Sequence, residues 1–336
     1  MQLFVTGGTG FLGRHLVWRL ADDGHQVVFS GRNSAVAAQI IDAARVPRHV
    51  RFVQLEHGRE NALNTMLEAS SEASAVIHCA ALASPWGTRT AFKHANVDAT
   101  SEVLATCRIH GIGRLVHISS PSIYFKFADR IQIREDDPLP PAVNEYARTK
   151  FEAEKLIQAA ELEAAVILRP RAIFGPWDNA LLPRLLRLLR YGRVPLLRGG
   201  RALLDMTYVD NVVDAILLAL ALPPSEKTPV FNISNGEPIA VEDLFMQMAK
   251  QFNLPLATVH RPYAAADLAA RLLELAARLT PAWEPPFTRY SIGAIAFSQT
   301  LDLQRARTLL GYQPRVCLAE GIARTAQWWR NRNLHP

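Results

Sequence analysis

Hydrophobic and polar positions alternate along the first half of the chain in two kinds of block. Short, nearly continuous apolar runs read as buried strands at Gln2–Thr6, Gln26–Ser30, Val50–Leu55, Ala75–Cys79, Arg114–Ser119 and Ala165–Leu168. Between them lie helical patterns near residues 11–23, 34–45, 60–70, 91–110 and 146–163. In the first of these, Leu12, Leu16, Val17 and Leu20 share a face. Strands alternating with helices predict an α/β fold with a doubly wound parallel sheet, helices on both faces and ligands beyond the carboxyl ends of the strands.

After Pro170 the pattern loosens. A leucine-rich helix (Leu181–Leu189) precedes Thr207-Tyr208-Val209-Asp210 and another helix, and Val230–Ile233 reads as a strand returning to the main sheet. Helices and a proline-rich loop (Pro281 to Pro286) follow. The economical division is one domain from residues 1–170 plus 205–236, and a smaller, discontinuous, mainly α domain from 171–204 plus 237–330. In Ala264–Thr280, Leu268, Leu272, Leu275 and Leu279 form one helical stripe, with Asp267, Arg271, Glu274 and Arg278 on the other side. That stripe suits packing on the core or a second subunit, a lid over an apolar substrate, or contact with a membrane surface, in that order.

Composition narrows the classes. The 336 residues are 49% hydrophobic and 20% charged, enough for a full core. Three cysteines, Cys79, Cys107 and Cys317, stand far apart, which excludes a disulfide framework or zinc-finger spacing and fits a reducing cytoplasm. The N-terminus has no basic flank or cleavage site, and the strongest apolar stretch, Ala215 to Leu222, is too short to span a bilayer. The net charge of +6 comes from scattered arginines without interleaved aromatics. A mild positive field favours an anionic cofactor or substrate, and no nucleic-acid partner is expected. The histidines show no metal-ligand spacing, so no metal is expected.

The glycine-rich turn is the first candidate site. Gly7-Gly8-Thr9-Gly10-Phe11-Leu12-Gly13 follows the apolar run Leu3-Phe4-Val5 and opens an amphipathic segment. Glycines at 7, 10 and 13 bare the backbone, so that amide N–H groups and the helix's positive end can meet a dinucleotide pyrophosphate. A glycine triplet alone is weak evidence; its place between strand and helix supports nucleotide binding.

Tyr146-Ala147-Arg148-Thr149-Lys150 is the second. With seven tyrosines and six lysines in the chain, such a pair arises by chance in roughly one such chain in eight. This one heads a predicted helix behind Pro140-Pro141, with Asn144 placed to cap it. The spacing puts phenol and ammonium on one face, about 6 Å apart along the axis. Exchange of a hydride with a carbonyl carbon needs proton transfer at the oxygen, which a phenol can perform. Bringing that phenol to neutrality costs about 4 kcal/mol. A cation about 5 Å away, at an effective dielectric near 20, supplies roughly 3 kcal/mol. Lys150 is therefore expected to do most of the tuning. Ser119-Ser120-Pro121-Ser122-Ile123-Tyr124 ends a strand, where a hydroxyl can hold the substrate oxygen; from the residues alone, Ser120 and Ser122 are equal candidates.

Together these stretches resemble the short-chain dehydrogenase/reductase superfamily in its extended branch, over essentially the whole chain. The resemblance implies a Rossmann-type sheet and selects Ser120 as the serine that joins Tyr146 and Lys150 in catalysis. It also implies that Lys150 touches the nicotinamide ribose. His78-Cys79-Ala80-Ala81 resembles the stretch beside the cofactor, and Asn96-Val97-Asp98 the start of a long helix whose asparagine supports the site. Leu168-Arg169-Pro170-Arg171-Ala172-Ile173-Phe174-Gly175-Pro176 resembles the hinge into the substrate domain. The implied cofactor set is Gly7, Thr9, Gly10, Phe11, Leu12, Gly13, Arg32, Glu56, Ala80, Ala81, Asn96, Tyr146 and Lys150. Within the superfamily the chain is similar to the 3β-hydroxysteroid dehydrogenase-type branch, and more narrowly to bacterial 2-alkyl-3-oxoalkanoate reductases.

Two departures carry weight. Leu204 stands where sugar-nucleotide epimerases of this group commonly have a phosphate-holding arginine, which argues against a nucleotide sugar. Leu55-Glu56-His57 replaces the usual Gly-Asp-Leu near the adenine, with Glu56 substituting for the aspartate. At the end of the second strand, Ser30-Gly31-Arg32-Asn33 has no carboxylate to bind ribose hydroxyls, while Arg32 can pair with a 2′-phosphate. NADP is therefore expected ahead of NAD.

The expected function is a cytoplasmic NAD(P)-dependent oxidoreductase interconverting a ketone and a secondary alcohol on an apolar substrate. A 3-oxo acid and a steroid- or sterol-like alcohol are the leading classes. A homodimer through the helices near 91–110 and 146–163 is the implied assembly. The rivals are a sugar-nucleotide epimerase or dehydratase, and a non-catalytic dinucleotide-binding sensor. Tyr124, Trp86 and Phe174 are further candidates to line a pocket, against the more frequent fate of core packing.

Overall fold

Alternation within single strands sets the two-faced core. In the computed structural model, which describes residues 1–334 apart from Glu60, Tyr191, Thr280, Pro281 and Ala282, Leu3 and Val5 face one hydrophobic cluster and Phe4 the other. Glu60, Thr280 and Pro281, which bound expected segments, lie outside the described residues. The main sheet contains β1 (Gln2–Thr6), β2 (Gln26–Gly31), β3 (Val50–Gln54), β4 (Ala75–His78), β5 (Arg114–Ile118), β6 (Ala164–Pro170) and β7 (Val230–Ile233). Its order is β7-β6-β5-β4-β1-β2-β3, with every neighbouring pair parallel. The winding reverses between β1 and β4, which opens a crevice at their carboxyl ends.

Helices α1 (Phe11–Asp22), α2 (Ser34–Asp42) and α6 (Val209–Ala221) cover one face of the sheet. Helices α3 (Ala62–Ser70), α4 (Ala99–His110) and α5 (Glu145–Ala159) cover the other. The helix expected near 91–110 is interrupted. Arg89–Phe92 passes through a π-turn at Lys93–Asp98 before α4 begins. Asn144 caps α5 as expected, accepting from the Ala147 N–H at 2.8 Å.

Beyond Pro170 the expected helices are present, joined by short strands that the sequence pattern does not announce. Ile239–Ala240, Leu203–Leu204, Gln299–Leu301 and Arg130–Ile133 form a four-stranded sheet, in that order. Strands of two to four residues are too short to show alternation, and one of them comes from the first half of the chain. Leu204 is buried within this sheet between Ile239 and Gln299.

The Tyr263–Leu279 helix docks by the face opposite to the one its leucines predict for core packing. Ala270 and Ala277 are its buried apolar residues, and Asp267, 8% exposed, meets Arg289 and Arg271 at 2.8 Å each. Small alanines allow close approach to Leu197, Ile292 and Ala296, and the ion pairs fix the docking. Leu268, Leu272, Leu275 and Leu279 are 57–79% exposed, so the stripe does not pack on this chain's core. No helix among the described residues is long and apolar enough to cross a membrane.

Candidate active site

The turn from β1 into α1 is built so that only a bare backbone fits. Gly7 has φ +68°, and a Cβ there would stand 2.8 Å from the Ala80 backbone at the end of β4. A Cβ at Gly13 would stand 2.2 Å from the Gly7 carbonyl oxygen. Helix α1 is capped by Gly10, with no side chain accepting from its first N–H groups. A helix N-terminus without a side-chain cap, closed tightly over glycine backbone, leaves N–H groups free to meet an anion. Gly7, Thr9, Gly10, Phe11, Leu12 and Gly13 thus stand together beside Ala80, and Ala81 follows it. At the end of β2, Arg32 is exposed, and Asn33 caps α2 through the Val36 N–H at 3.0 Å. Glu56, beyond β3, is half-exposed and pairs with Arg59 at 3.2 Å.

Buried polar groups lock the strand ends. Thr100 donates its hydroxyl hydrogen to the Asn96 carbonyl (2.7 Å), so His78 Nε2 must donate to Thr100 (3.1 Å). His78 Nδ1 then accepts from the Thr6 hydroxyl at 2.7 Å. Burial holds His78 neutral, well below the usual imidazole range, with His57 and Lys150 acting in the same direction. Asn96 Oδ1 accepts from the Leu82 N–H (2.7 Å) and its Nδ2 donates to Thr149 (2.9 Å). It therefore ties the loop after β4 to the helix that carries Tyr146 and Lys150.

Ser120 and Tyr146 face each other across the carboxyl edge of the sheet, near enough for the Ser120 hydroxyl to favour the ionised phenol. Ser120 also accepts from the Ser122 N–H at 3.2 Å, whereas Ser122 is buried with its hydroxyl unpartnered. Tyr146 packs beside Phe92, ring centroids 6.4 Å apart. Burial pushes its phenol up to about 12; Ser120 opposes this and Tyr290 reinforces it.

Lys150 departs from the role its spacing predicts. Its side chain is 2% exposed, and its Nζ donates to the Ile118 carbonyl at 2.6 Å and lies 3.3 Å from His117 Nε2. Burial lowers it to about 8, against the opposing pull of Glu154 and Cys79. The phenol accordingly stays above its ordinary value instead of approaching neutrality. The helical spacing brings the two groups to one face, but the carbonyl at the end of β5 captures the ammonium, an acceptor no linear motif reveals.

Behind the site, Arg169 forms a bidentate pair with fully buried Glu154 (2.9 and 2.6 Å) and donates to Tyr124. Tyr124 in turn donates to Asn232 Oδ1 at 2.9 Å, so this tyrosine is a buried brace rather than pocket lining. Phe174 is likewise core, edge-on to Tyr208 with centroids 5.6 Å apart. Two further residues near the site escaped sequence reasoning. Tyr290 acts electrostatically on both Tyr146 and Arg171, and Arg171 is buried just past the end of β6. Tyr290 lies far along the chain with no local signal. Arg171 stood inside the recognised hinge stretch, but nothing in the sequence separated it from Arg169.

Comparison with known proteins agrees with this geometry. The family model described as "NAD dependent epimerase/dehydratase family" matches residues 3–234. A 2-alkyl-3-oxoalkanoate reductase of Stenotrophomonas maltophilia is 34% identical, the match covering 96% of this chain and 98% of that one. A decarboxylating sterol-4-alpha-carboxylate 3-dehydrogenase of Mus musculus is 30% identical, covering 96% and 89%. The structure of MoeE5 with UDP-glucose and NAD superposes with a TM-score of 0.76 at 26% identity, covering 99% and 100%. Glycine cradle, doubly wound sheet and matched sequence coincide: the chain belongs to the NAD-dependent epimerase/dehydratase family, the extended short-chain dehydrogenases/reductases, and is an oxidoreductase of their 3β-hydroxysteroid dehydrogenase-type branch.

Proposed function

We propose that the enzyme reduces an apolar β-oxo carboxylate to the β-hydroxy acid, with NADPH preferred over NADH. The carrying observation is the approach of Ser120, just past β5, to Tyr146 on α5 at the carboxyl edge of the sheet, next to β4, beyond whose end Ala80 meets the glycine turn. The substrate class follows from two relatives' names. A 3-oxoalkanoate and a sterol 4-carboxylate reacting at carbon 3 both carry a carboxylate on the carbon next to the reacting one. Leu204, in place of a cation, gives a nucleotide sugar's phosphate nothing to pair with.

Gly7, Thr9, Gly10, Phe11, Leu12 and Gly13 hold the pyrophosphate, flanked by Ala80, Ala81 and Asn96, with Glu56 toward the adenine. Arg32, exposed beyond β2 with no carboxylate beside it, accounts for the NADPH preference. Bound nucleotide supplies the hydrogen and electron pair delivered to the ketone carbon. Ser120 holds the ketone oxygen and Tyr146 donates its proton to that oxygen. A phenol pushed up to about 12 is fully protonated at neutral pH, the form that reduction requires. Lys150, held at the end of β5 by the Ile118 carbonyl, would orient the nicotinamide ribose. Residues 171–204 plus 237–330 enclose the apolar part of the substrate, and two copies of the chain pair through the faces of α4 and α5.

A panel of 3-oxo acids, hydroxysteroids and flavonoid ketones with NADPH and NADH tests this. Turnover is expected with 3-oxo acids and NADPH. Tightly retained NAD with no net nucleotide consumption would instead favour an epimerase.

A further inference from the structure

Two arginines follow one another at the end of β6, and the fold treats them oppositely. Arg169 is buried against Glu154 with two parallel hydrogen bonds. Arg171 is 8% exposed, its Nε makes no hydrogen bond, and it forms no ion pair among the described residues. Asp205, the acid that acts on it, gives its Oδ2 to the Leu301 N–H at 2.6 Å and leaves Oδ1 buried without a hydrogen bond. A buried guanidinium with no directly bonded counter-ion is costly, and its fork geometry suits a carboxylate held by two parallel bonds.

Its position is fixed relative to the reacting groups. In the parallel pairing of β5 with β6, Ile118 stands opposite Leu168, and the Ser119 N–H donates to the Leu168 carbonyl at 2.7 Å. Ser120 and Arg171 therefore leave the same edge of the sheet from adjacent strands. The Arg171 backbone is pinned on both sides. Its N–H donates to the Ile233 carbonyl (2.9 Å), and its carbonyl accepts from the Thr207 hydroxyl (2.6 Å). Tyr290 acts electrostatically on both the Tyr146 phenol and the Arg171 guanidinium.

We propose that Arg171 binds the substrate's carboxylate and selects acids whose charged group lies one carbon from the reacting carbon. The assignment rests on the reductase reading above and adds the group that recognises the acid. In a β-oxo acid, ketone oxygen and carboxylate are separated by only two carbon–carbon bonds. The first sits on Ser120 and Tyr146 while the second reaches the guanidinium.

The test compares 3-hydroxydecanoate with its methyl ester, oxidised with NADP+ by wild type and by Arg171→Met. The acid's kcat/KM is expected to fall by roughly 30-fold or more in the variant, in line with loss of a charge-assisted pair, and the ester's by less than about threefold. Arg171→Lys should restore part of the loss as a monodentate cation. Independently of any variant, decanoate should inhibit the wild type competitively against 3-hydroxydecanoate while decanamide does not; this decides the matter if Arg171→Met does not fold. Equal losses for acid and ester, or equal inhibition by decanoate and decanamide, would overturn the assignment while leaving the reductase standing. No turnover of either compound by the wild type with NADP+ or NAD+ would remove the reductase reading and Arg171's role with it.

Discussion

Replacing Lys150 by methionine should stabilise the folded protein at neutral pH while abolishing turnover. The ammonium is buried, and its pKa is lowered from 10.5 to about 8. At 1.36 kcal/mol per unit, that difference corresponds to about 3 kcal/mol of unfavourable burial when the lysine is charged. Methionine fills similar apolar space without the charge. The Ile118 carbonyl loses its 2.6 Å donor, which gives back about 1–2 kcal/mol. The net gain is about 1–2 kcal/mol. Its pH dependence identifies the cause. Because the folded-state pKa lies below the unfolded one, the penalty is complete below pH 8 and disappears as pH rises toward 10.5. The variant's advantage should therefore shrink steadily across that window. Urea denaturation of both proteins at pH 7, 8, 9 and 10 measures it. A variant less stable than wild type at pH 7, or a gap that does not narrow with pH, would refute the reasoning.

Gly13→Ala would place a methyl 2.2 Å from the Gly7 oxygen, so calorimetry should record at least a ~10-fold loss of NADPH affinity; unchanged affinity would contradict the cradle. Arg32→Asp should move the NADPH-to-NADH ratio of kcat/KM at least ~10-fold toward NADH, by replacing a phosphate partner with a repelling carboxylate. A constant ratio would exclude Arg32 from that role. Arg169→Met leaves Glu154, 0% exposed, without its bidentate partner, and should cost about 3–5 kcal/mol in denaturation experiments. The double variant Arg169→Met, Glu154→Leu should recover most of that loss, since the stranded charge is gone.

Local pattern made the scaffold legible. Each expected strand of the main sheet is present, its ends within two residues of the expected ones. Cys79 and Ser119 fall just outside β4 and β5, because both chains leave the sheet there to form the crevice. The glycine turn and the Tyr146/Lys150 spacing were legible because each is a rule about neighbours in sequence. What stayed hidden depends on distant segments. Arg130–Ile133 pairs with Gln299–Leu301, a partner more than 160 residues away, and neither strand is long enough to declare itself. The leucine stripe of Tyr263–Leu279 gave the wrong docking face, because close approach through Ala270 and the Asp267–Arg289 pair outweighed apolar area. Lys150 was assigned to the phenol because helix geometry is local, whereas its acceptor, the Ile118 carbonyl, belongs to a strand 32 residues earlier. Tyr290, Ser120 and Arg171 come from three separate elements, and only the folded sheet brings them to one edge.

In the proposed reaction, hydrogen passes from the nucleotide to a ketone carbon while Tyr146 protonates the oxygen. NADPH deuterated at C4, given with a 2-alkyl-3-oxo acid, tests it when the product is read by mass spectrometry. Wild type should yield a 3-hydroxy acid carrying one deuterium at C3 per NADPH consumed, and Tyr146→Phe should bind NADPH with unchanged affinity yet yield almost none. A product without deuterium, or a Tyr146→Phe variant that forms it at the wild-type rate, would contradict the account.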